Sequence, residues 1–182
     1  MRALVIETDV EYVFINSGTD TFPIQEAMAR MMEQERPIPK LILCIDEVTA
    51  MFAAQGYYQL TGRAQVVLVH VDAGTAQIGG AYHDVQRDHS GVIVCAGRAP
   101  STLGAAVPGG KDMGIHWLQE QLDQNGIVRT FTKWDYEIHR AEMTGFIVHR
   151  ALQVAPNSAF RPALRRNGCN RRCGLRRCGA SG

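Results

Sequence analysis

The chain has 182 residues, 46% of them hydrophobic and 20% charged, with a formal net charge of +1. This length suffices for one domain with a full core. The composition is that of an ordinary soluble globular protein, and its apolar runs are of strand length, well short of the roughly 20 residues a membrane span needs.

The charge is unevenly placed. Residues 1–155 carry 12 of the 19 basic residues and all 18 acidic ones, whereas residues 156–182 carry seven arginines and no acid. A mildly acidic body gives no reason to expect nucleic acid as a partner. Met1-Arg2-Ala3-Leu4-Val5-Ile6 is soon interrupted by Glu7 and Asp9, which is no signal peptide, so a cytoplasmic location is expected. Cys44 and Cys95 lie in apolar strand-like runs and read as buried thiols. Cys169, Cys173 and Cys178 crowd the tail, and nothing points to a secreted disulfide framework.

Strands and helices alternate along the chain. Glu11-Tyr12-Val13-Phe14-Ile15 reads as a first strand, ended by the turn Asn16-Ser17-Gly18-Thr19-Asp20. Asp20 or Thr21 is placed to cap a helix with Pro23 in its first turn. The spacing of Ile24, Ala27, Met28, Met31 and Met32 gives that helix an apolar face, and it ends before Pro37 and Pro39. A second strand is predicted over Leu41–Ile45, then a helix from Glu47 to about Leu60, with Gly62 as its stop. Val66–Val71 is an apolar run suited to a parallel strand covered on both faces. A turn at Asp72-Ala73-Gly74-Thr75 and a helix over about 76–86 follow.

The fourth strand is predicted over Gly91–Gly97, and 98–114 reads as an irregular loop rich in Gly, Pro and Ala. Two further helices are predicted, about 115–124 and 136–154, with a short strand Val128–Thr132 between them. Such alternation implies βαβ units and a doubly wound, flavodoxin-like α/β fold, a parallel sheet with helices on both faces. The predicted domain is 1–155. Pro156–Gly182 lacks apolar periodicity and is expected to be disordered or weakly structured. Its Arg, Gly, Cys, Ala and Pro content suggests out-of-frame translation of a GC-rich gene.

The residue singled out for chemistry is Glu47. It stands between a strand end and a helix start, at the carboxyl edge of an α/β sheet, where ligands are usually held. The plain alternative is a glutamate complementing a helix dipole, worth a few tenths of a kcal/mol. Gly74-Thr75-Ala76-Gln77-Ile78-Gly79-Gly80 reads as a tight turn beside a ligand or as an anion-holding helix start. It is neither a Walker loop nor a dinucleotide fingerprint. His70 ends the third strand, where proton transfer is one reading and packing the plainer one.

Glu47, the Ala53-Ala54-x-Gly56-Tyr57 helix, Thr61-Gly62-Arg63, the Gly74 turn and Cys95-Ala96-Gly97-Arg98-Ala99-Pro100 fall in order. Together they resemble the pyrimidine-binding domain of thiamine diphosphate enzymes, the acetolactate synthase and benzoylformate decarboxylase group. The resemblance covers about residues 11–154. It implies that Glu47 bonds a ring nitrogen of the cofactor's aminopyrimidine and so favours the imino tautomer, which can take the thiazolium proton. It further implies that Ser17, Gly18, Thr19, Gly74 and Gln77 shape the same pocket, that the pocket forms between two subunits of a dimer, and that the substrate is a small 2-oxo acid.

The chain departs from that group in places. Asp46 stands where many members have His before the glutamate, and Asp72-Ala73-Gly74 and Gln77 stand where many carry Gly-Pro-Gly and Asn. The helix that precedes the first strand in the group is missing or reduced to Arg2–Asp9. The Gly-Asp-Gly motif that holds diphosphate and Mg²⁺ in a separate domain of the group is absent from the sequence. Mg²⁺ is therefore expected only with such a domain, no metal ligand is assigned here, and little or no turnover is expected of this chain by itself. The alternative is a non-catalytic flavodoxin-like module for dimerisation or partner binding.

Overall fold

A computed structural model describes residues 10–104 and 110–156. The predicted tail and the shortened first helix lie outside the described residues. Four strands form one all-parallel sheet: β1 Tyr12–Ile15, β2 Lys40–Leu43, β3 Gln65–Val69 and β4 Val92–Ala96, in the order β2-β1-β3-β4. The helices are α1 Phe22–Glu33, α2 Glu47–Thr61, α3 Val71–Gln77, α4 Gly79–Asp88, α5 Gly114–Leu118 and α6 Thr144–Val154.

Both faces of β1, β3 and β4 are covered, as apolar strand sequences require, whereas β2 is exposed along its length among the described residues. On one face Phe14, Val67 and Val69 pack with Met51 and Ala54 of α2 and with Ala81 and Val85 of α4. On the other, Val13, Ile15, Val66 and Leu68 meet Ile24 of α1 and Val148, Ala151 and Leu152 of α6. This is the doubly wound arrangement expected from the alternation. The polar residue at the start of the central strand is fully satisfied: buried Gln65 accepts from the backbone N–H of Glu11 (2.9 Å) and Tyr12 (2.8 Å) and donates to the Ala64 carbonyl (3.0 Å). It thereby ties the starts of β1 and β3 together, at the cost of no unpaired group.

The first two helices end as their sequences direct. Pro23 lies in the first turn of α1. Gly62 closes α2 at φ 71°, and its N–H donates to the Tyr58 carbonyl, the left-handed stop that glycine takes without a Cβ penalty.

Four elements differ from expectation. The predicted turn at 72–75 is helical: α3 begins at Val71, and a break at Ile78 separates it from α4. The Gly74 N–H reaches the His70 carbonyl at 2.7 Å and the Thr75 hydroxyl donates to the Val71 carbonyl at 2.6 Å, so the first turn closes locally. The predicted strand Val128–Thr132 is instead two single 3₁₀ turns, Asn125–Ile127 and Arg129–Phe131. Arg129 bonds both Asp123 (3.0 Å) and Asp135 (3.1 Å), and this clamp folds the segment back on itself. Helix α5 stops at Leu118, and α6 begins only at Thr144, leaving Trp134–Arg140 without regular structure. Cys44 and Cys95 are free thiols. Burial pushes both up, Cys95 to about 11, the behaviour of inert packing cysteines. Among the described residues no helix is long and apolar enough to cross a membrane.

Candidate functional site

The chain runs from β1 outward to β2 and returns across the sheet to β3. The topological switch therefore lies between β1 and β3, and a crevice at the carboxyl ends of those strands is the expected ligand position. Three segments meet there: the Asn16–Asp20 turn after β1, the start of α2, and the β3–α3 junction.

Glu47 is the first residue of α2. Its neighbour Asp46 is the N-cap, accepting from the Thr49 backbone N–H at 2.7 Å and the Thr49 hydroxyl at 3.0 Å. Capping fixes the Asp46 carboxylate on its own helix, so it is committed elsewhere than to Glu47. The Glu47 side chain instead lies over α3: a Cβ at Gly74 would stand 3.0 Å from Glu47 Oε1 and 3.1 Å from the Val69 Cβ. Only a residue without a side chain lets α3 approach the carboxylate this closely. Among the described residues no hydrogen bond reaches that carboxylate. Glu47 is half-buried rather than enclosed.

The second cluster was not assembled by sequence reasoning. Asp20, expected as a helix cap, instead contacts His70 Nδ1 and accepts from the Val71 backbone N–H at 3.2 Å. Its side chain is only 10% exposed. It holds the β3–α3 junction, where Val71 takes φ 35°. A β-branched residue in that region is strained, and such strain persists where the surroundings over-determine it. Gly18 and Gly97 complete the cluster, since a methyl at Gly18 would overlap the His70 ring and one at Gly97 the Asp20 carboxylate. The available signal was His70 at the end of a strand facing a turn that holds an acid. Neither position reveals the other, because they are fifty residues apart.

The structure thus brings Glu47 and Gly74 into contact and sets Gly18 against His70. Ser17 and Thr19 flank Gly18 in the turn after β1 and are exposed. Gln77, also exposed, lies one turn beyond Gly74 on α3. Asp72 accepts from Gln121 at 3.2 Å through one oxygen, while its other oxygen is buried without a partner among the described residues. Among those residues no group of three His, Cys, Asp or Glu is placed to hold a metal ion. A cavity of about 830 Å³ lies elsewhere, beside β4, and neither Glu47 nor Gly74 lines it.

Comparison with known proteins bears on the family and the fold. The family described as "Thiamine pyrophosphate enzyme, N-terminal TPP binding domain" matches residues 2–127. The mitochondrial acetolactate synthase catalytic subunit of Saccharomyces cerevisiae is 25% identical over 156 residues, 86% of this chain and 20% of that protein. The corresponding subunit of Aspergillus candidus is 24% identical, over 88% of this chain and 21% of its own length. The chain thus spans about a fifth of the length of these curated relatives.

Two solved structures share the fold. The thiamine diphosphate-dependent 4-hydroxybenzoylformate decarboxylase of Rhodococcus jostii RHA1 superposes with a TM-score of 0.67 at 23% identity, over 85% of this chain and 26% of that one. The benzoylformate decarboxylase of Polynucleobacter necessarius gives 0.62 at 20% identity, over 79% and 24%. The family match across more than half of the sequence does not favour the alternative of a non-catalytic flavodoxin-like module for dimerisation or partner binding: this chain belongs to the N-terminal, TPP-binding domain family of thiamine pyrophosphate enzymes.

Proposed function

We propose that the chain forms the half-site for the aminopyrimidine of thiamine diphosphate in an enzyme that decarboxylates or ligates a 2-oxo acid. The observation that carries this reading is Glu47, held at the start of α2 against the bare backbone of Gly74, with its carboxylate taken by no described residue. The fit is chemical as well as steric. A half-buried carboxyl with open hydrogen-bonding capacity suits a heterocyclic nitrogen, and excluding water strengthens such a bond. When bound, the cofactor supplies a nucleophilic carbon for 2-oxo-acid chemistry.

Glu47 shares a proton with the ring nitrogen. Asp46 keeps the helix start rigid by capping it. Ser17, Gly18, Thr19, Gly74 and Gln77 shape the pocket around the ring, and the Asp20–His70 contact fixes the wall behind Gly18. The diphosphate and Mg²⁺ are assigned to a separate domain or subunit, since Mg²⁺ demands octahedral oxygen ligands. A second subunit closes the cleft. The apolar surface near α2 supports this: Leu43 and Ile45 are 74% and 90% exposed, and Phe52 is 41% exposed. Turnover is assigned to the assembly and not to this chain alone.

Calorimetric titration with thiamine diphosphate and Mg²⁺ tests the assignment. The chain alone should bind at millimolar strength or weaker. Adding a diphosphate-binding domain from a relative should tighten binding. Glu47→Gln should then weaken it by roughly tenfold, the value of one charge-assisted hydrogen bond. Equal affinity for Glu47→Gln and the parent in that mixture would remove Glu47 from the site.

A further inference from the structure

The β3–α3 junction is clamped through both main-chain polar groups of one strained residue. Val71, at φ 35°, has its N–H taken by Asp20 and its carbonyl by the Thr75 hydroxyl. Neither clamp stands alone. Asp20 is backed by Gly97, where a methyl would overlap its carboxylate. Thr75 follows Gly74 on α3 and is 4% exposed.

Both clamps lead to one side chain. Gln124 Nε2 donates to the Thr75 hydroxyl at 3.1 Å and to the Gly97 carbonyl at 2.8 Å. A carbonyl only accepts, and the Thr75 hydrogen is spent on the Val71 carbonyl, so both positions demand a donor. The primary amide of glutamine supplies two on one nitrogen. Gln124 is itself 6% exposed, a depth at which an amide is tolerated when its donors are satisfied.

A second rung lies beside the first. Gln121 donates to Asp72 at 3.2 Å, and Asp72 and Thr75 stand at i and i+3 on α3, on one side of the helix. Gly74 faces elsewhere, onto Glu47. Segment 121–124 therefore braces α3 from a side other than the one it presents to the carboxylate. The ring Gln124–Thr75–Val71–Asp20–Gly97–Gln124 closes around the strained residue, and a strained conformation persists only where its surroundings over-determine it.

We propose that Gln124 is a positioning residue for the cofactor half-site: its two donors lock the first turn of α3, and that lock sets Gly74 against Glu47. The proposal rests on the reading of Glu47 as the carboxylate that meets the aminopyrimidine. Gln124 acts through Thr75, the neighbour of Gly74, and not by touching the ring. A site of this kind must hold its geometry within about 0.5 Å, so loss of the lock reaches the carboxylate without unfolding the sheet.

The test begins with the full chain and no cofactor. Glu47→Gln should move the Gly74 amide resonance of the parent, because the two residues touch. In Gln124→Met, which keeps the side-chain length and removes the donors, the same substitution should move that resonance roughly half as much or less. Amides of Val66–Val69 should stay protected from exchange, since β3 is held by strands on both sides. In the mixture with a diphosphate-binding domain, Gln124→Met should weaken thiamine diphosphate binding about fivefold. It should weaken it no further when Glu47→Gln is already present. Should Gln124→Met fail to fold, Thr75→Val, which deletes the hydroxyl between Gln124 and Val71, decides by the same two readings.

Two results would overturn the proposal. One is a Gly74 resonance that responds to Glu47→Gln as strongly in Gln124→Met as in the parent. The other is a binding effect of Gln124→Met that is absent, or that is as large with Glu47→Gln as without it, the mark of a residue that only stabilises the fold. Failure of the Glu47 reading looks different: Glu47→Gln by itself would leave cofactor affinity unchanged, and the proposal would fall with it whatever Gln124 does to the Gly74 resonance.

Discussion

Two margins of one sheet are built in opposite ways. At the carboxyl ends of β1 and β3, polar groups and bare backbone interlock: Asp20 bridges His70 and Val71, and Gly18, Gly74 and Gly97 leave no room for a methyl without displacing a neighbour. Beside β4, among the described residues, α4 and α6 line an open cavity of about 830 Å³. The first margin is specified atom by atom, with backbone strain at Val71 held in place by its neighbours. The second is open volume of mixed lining, apolar where α6 contributes Ile147, Val148, Ala151 and Val154. A preorganised site needs the former.

Adding atoms at each margin separates the two most sharply. Gly18→Ala puts a methyl into the His70 ring, and with Gly18 in an extended conformation (φ −138°) the penalty is purely steric. Overpacking of this kind should cost about 2–3 kcal/mol, read as a lower urea midpoint. A change under half a kcal/mol would show that the cluster yields easily and is not preorganised.

At the other margin, Ala151→Leu adds volume at a side chain that packs on the core and also lines the cavity. Its effect on the same midpoint should stay within about 1 kcal/mol of the parent, and a stabilising sign is expected if the cavity is otherwise unfilled. A loss comparable to that of Gly18→Ala would mean that the space beside Ala151 is already packed.

The smallest effect concerns the Arg129 clamp, whose Asp135 lines the cavity beside β4. Hydrogen bonds from Arg129 hold the Asp123 carboxyl below the usual carboxylate range, helped by the Gly126 N–H. Arg129 likewise lowers Asp135, against the opposing effect of burial and with help from Asn125. Lowered carboxylate values mean that the clamp's contribution is fully present above the unfolded value of about 3.9. It is lost as pH falls through the lower folded values. Trp134, stacked on Tyr136 at 5.9 Å beside this clamp, should report a change in emission only below about pH 4. A transition centred near pH 6 would assign the change to other groups.

Much of the fold was legible in the sequence because its signals are local. The apolar run around Val66–Val69 announces a strand with both faces covered, Pro23 announces a helix start and Gly62 a helix stop. The fifth strand was misread because Val128-Arg129-Thr130-Phe131-Thr132 alternates like a strand. The Arg129 bonds to Asp123 and Asp135, which override that alternation, are invisible in a propensity reading. The 72–75 turn was misread for a related reason. Gly74 signals a break in sequence, but here its missing side chain serves the approach of α3 to Glu47 and not a change of direction.

The sequence by itself determined the order of strands and helices, their burial on two faces, and the position of a single carboxylate at a strand-to-helix junction. These follow from periodicity and capping, which act over a few residues. Only the tertiary structure decided that Asp20 meets His70 across fifty positions, that Asp46 is spent as a cap while Glu47 lies against Gly74, and that Arg129 joins Asp123 to Asp135. Those outcomes depend on which chain segments the crossovers bring side by side, and contact between distant segments leaves no periodic trace in the residues that make it.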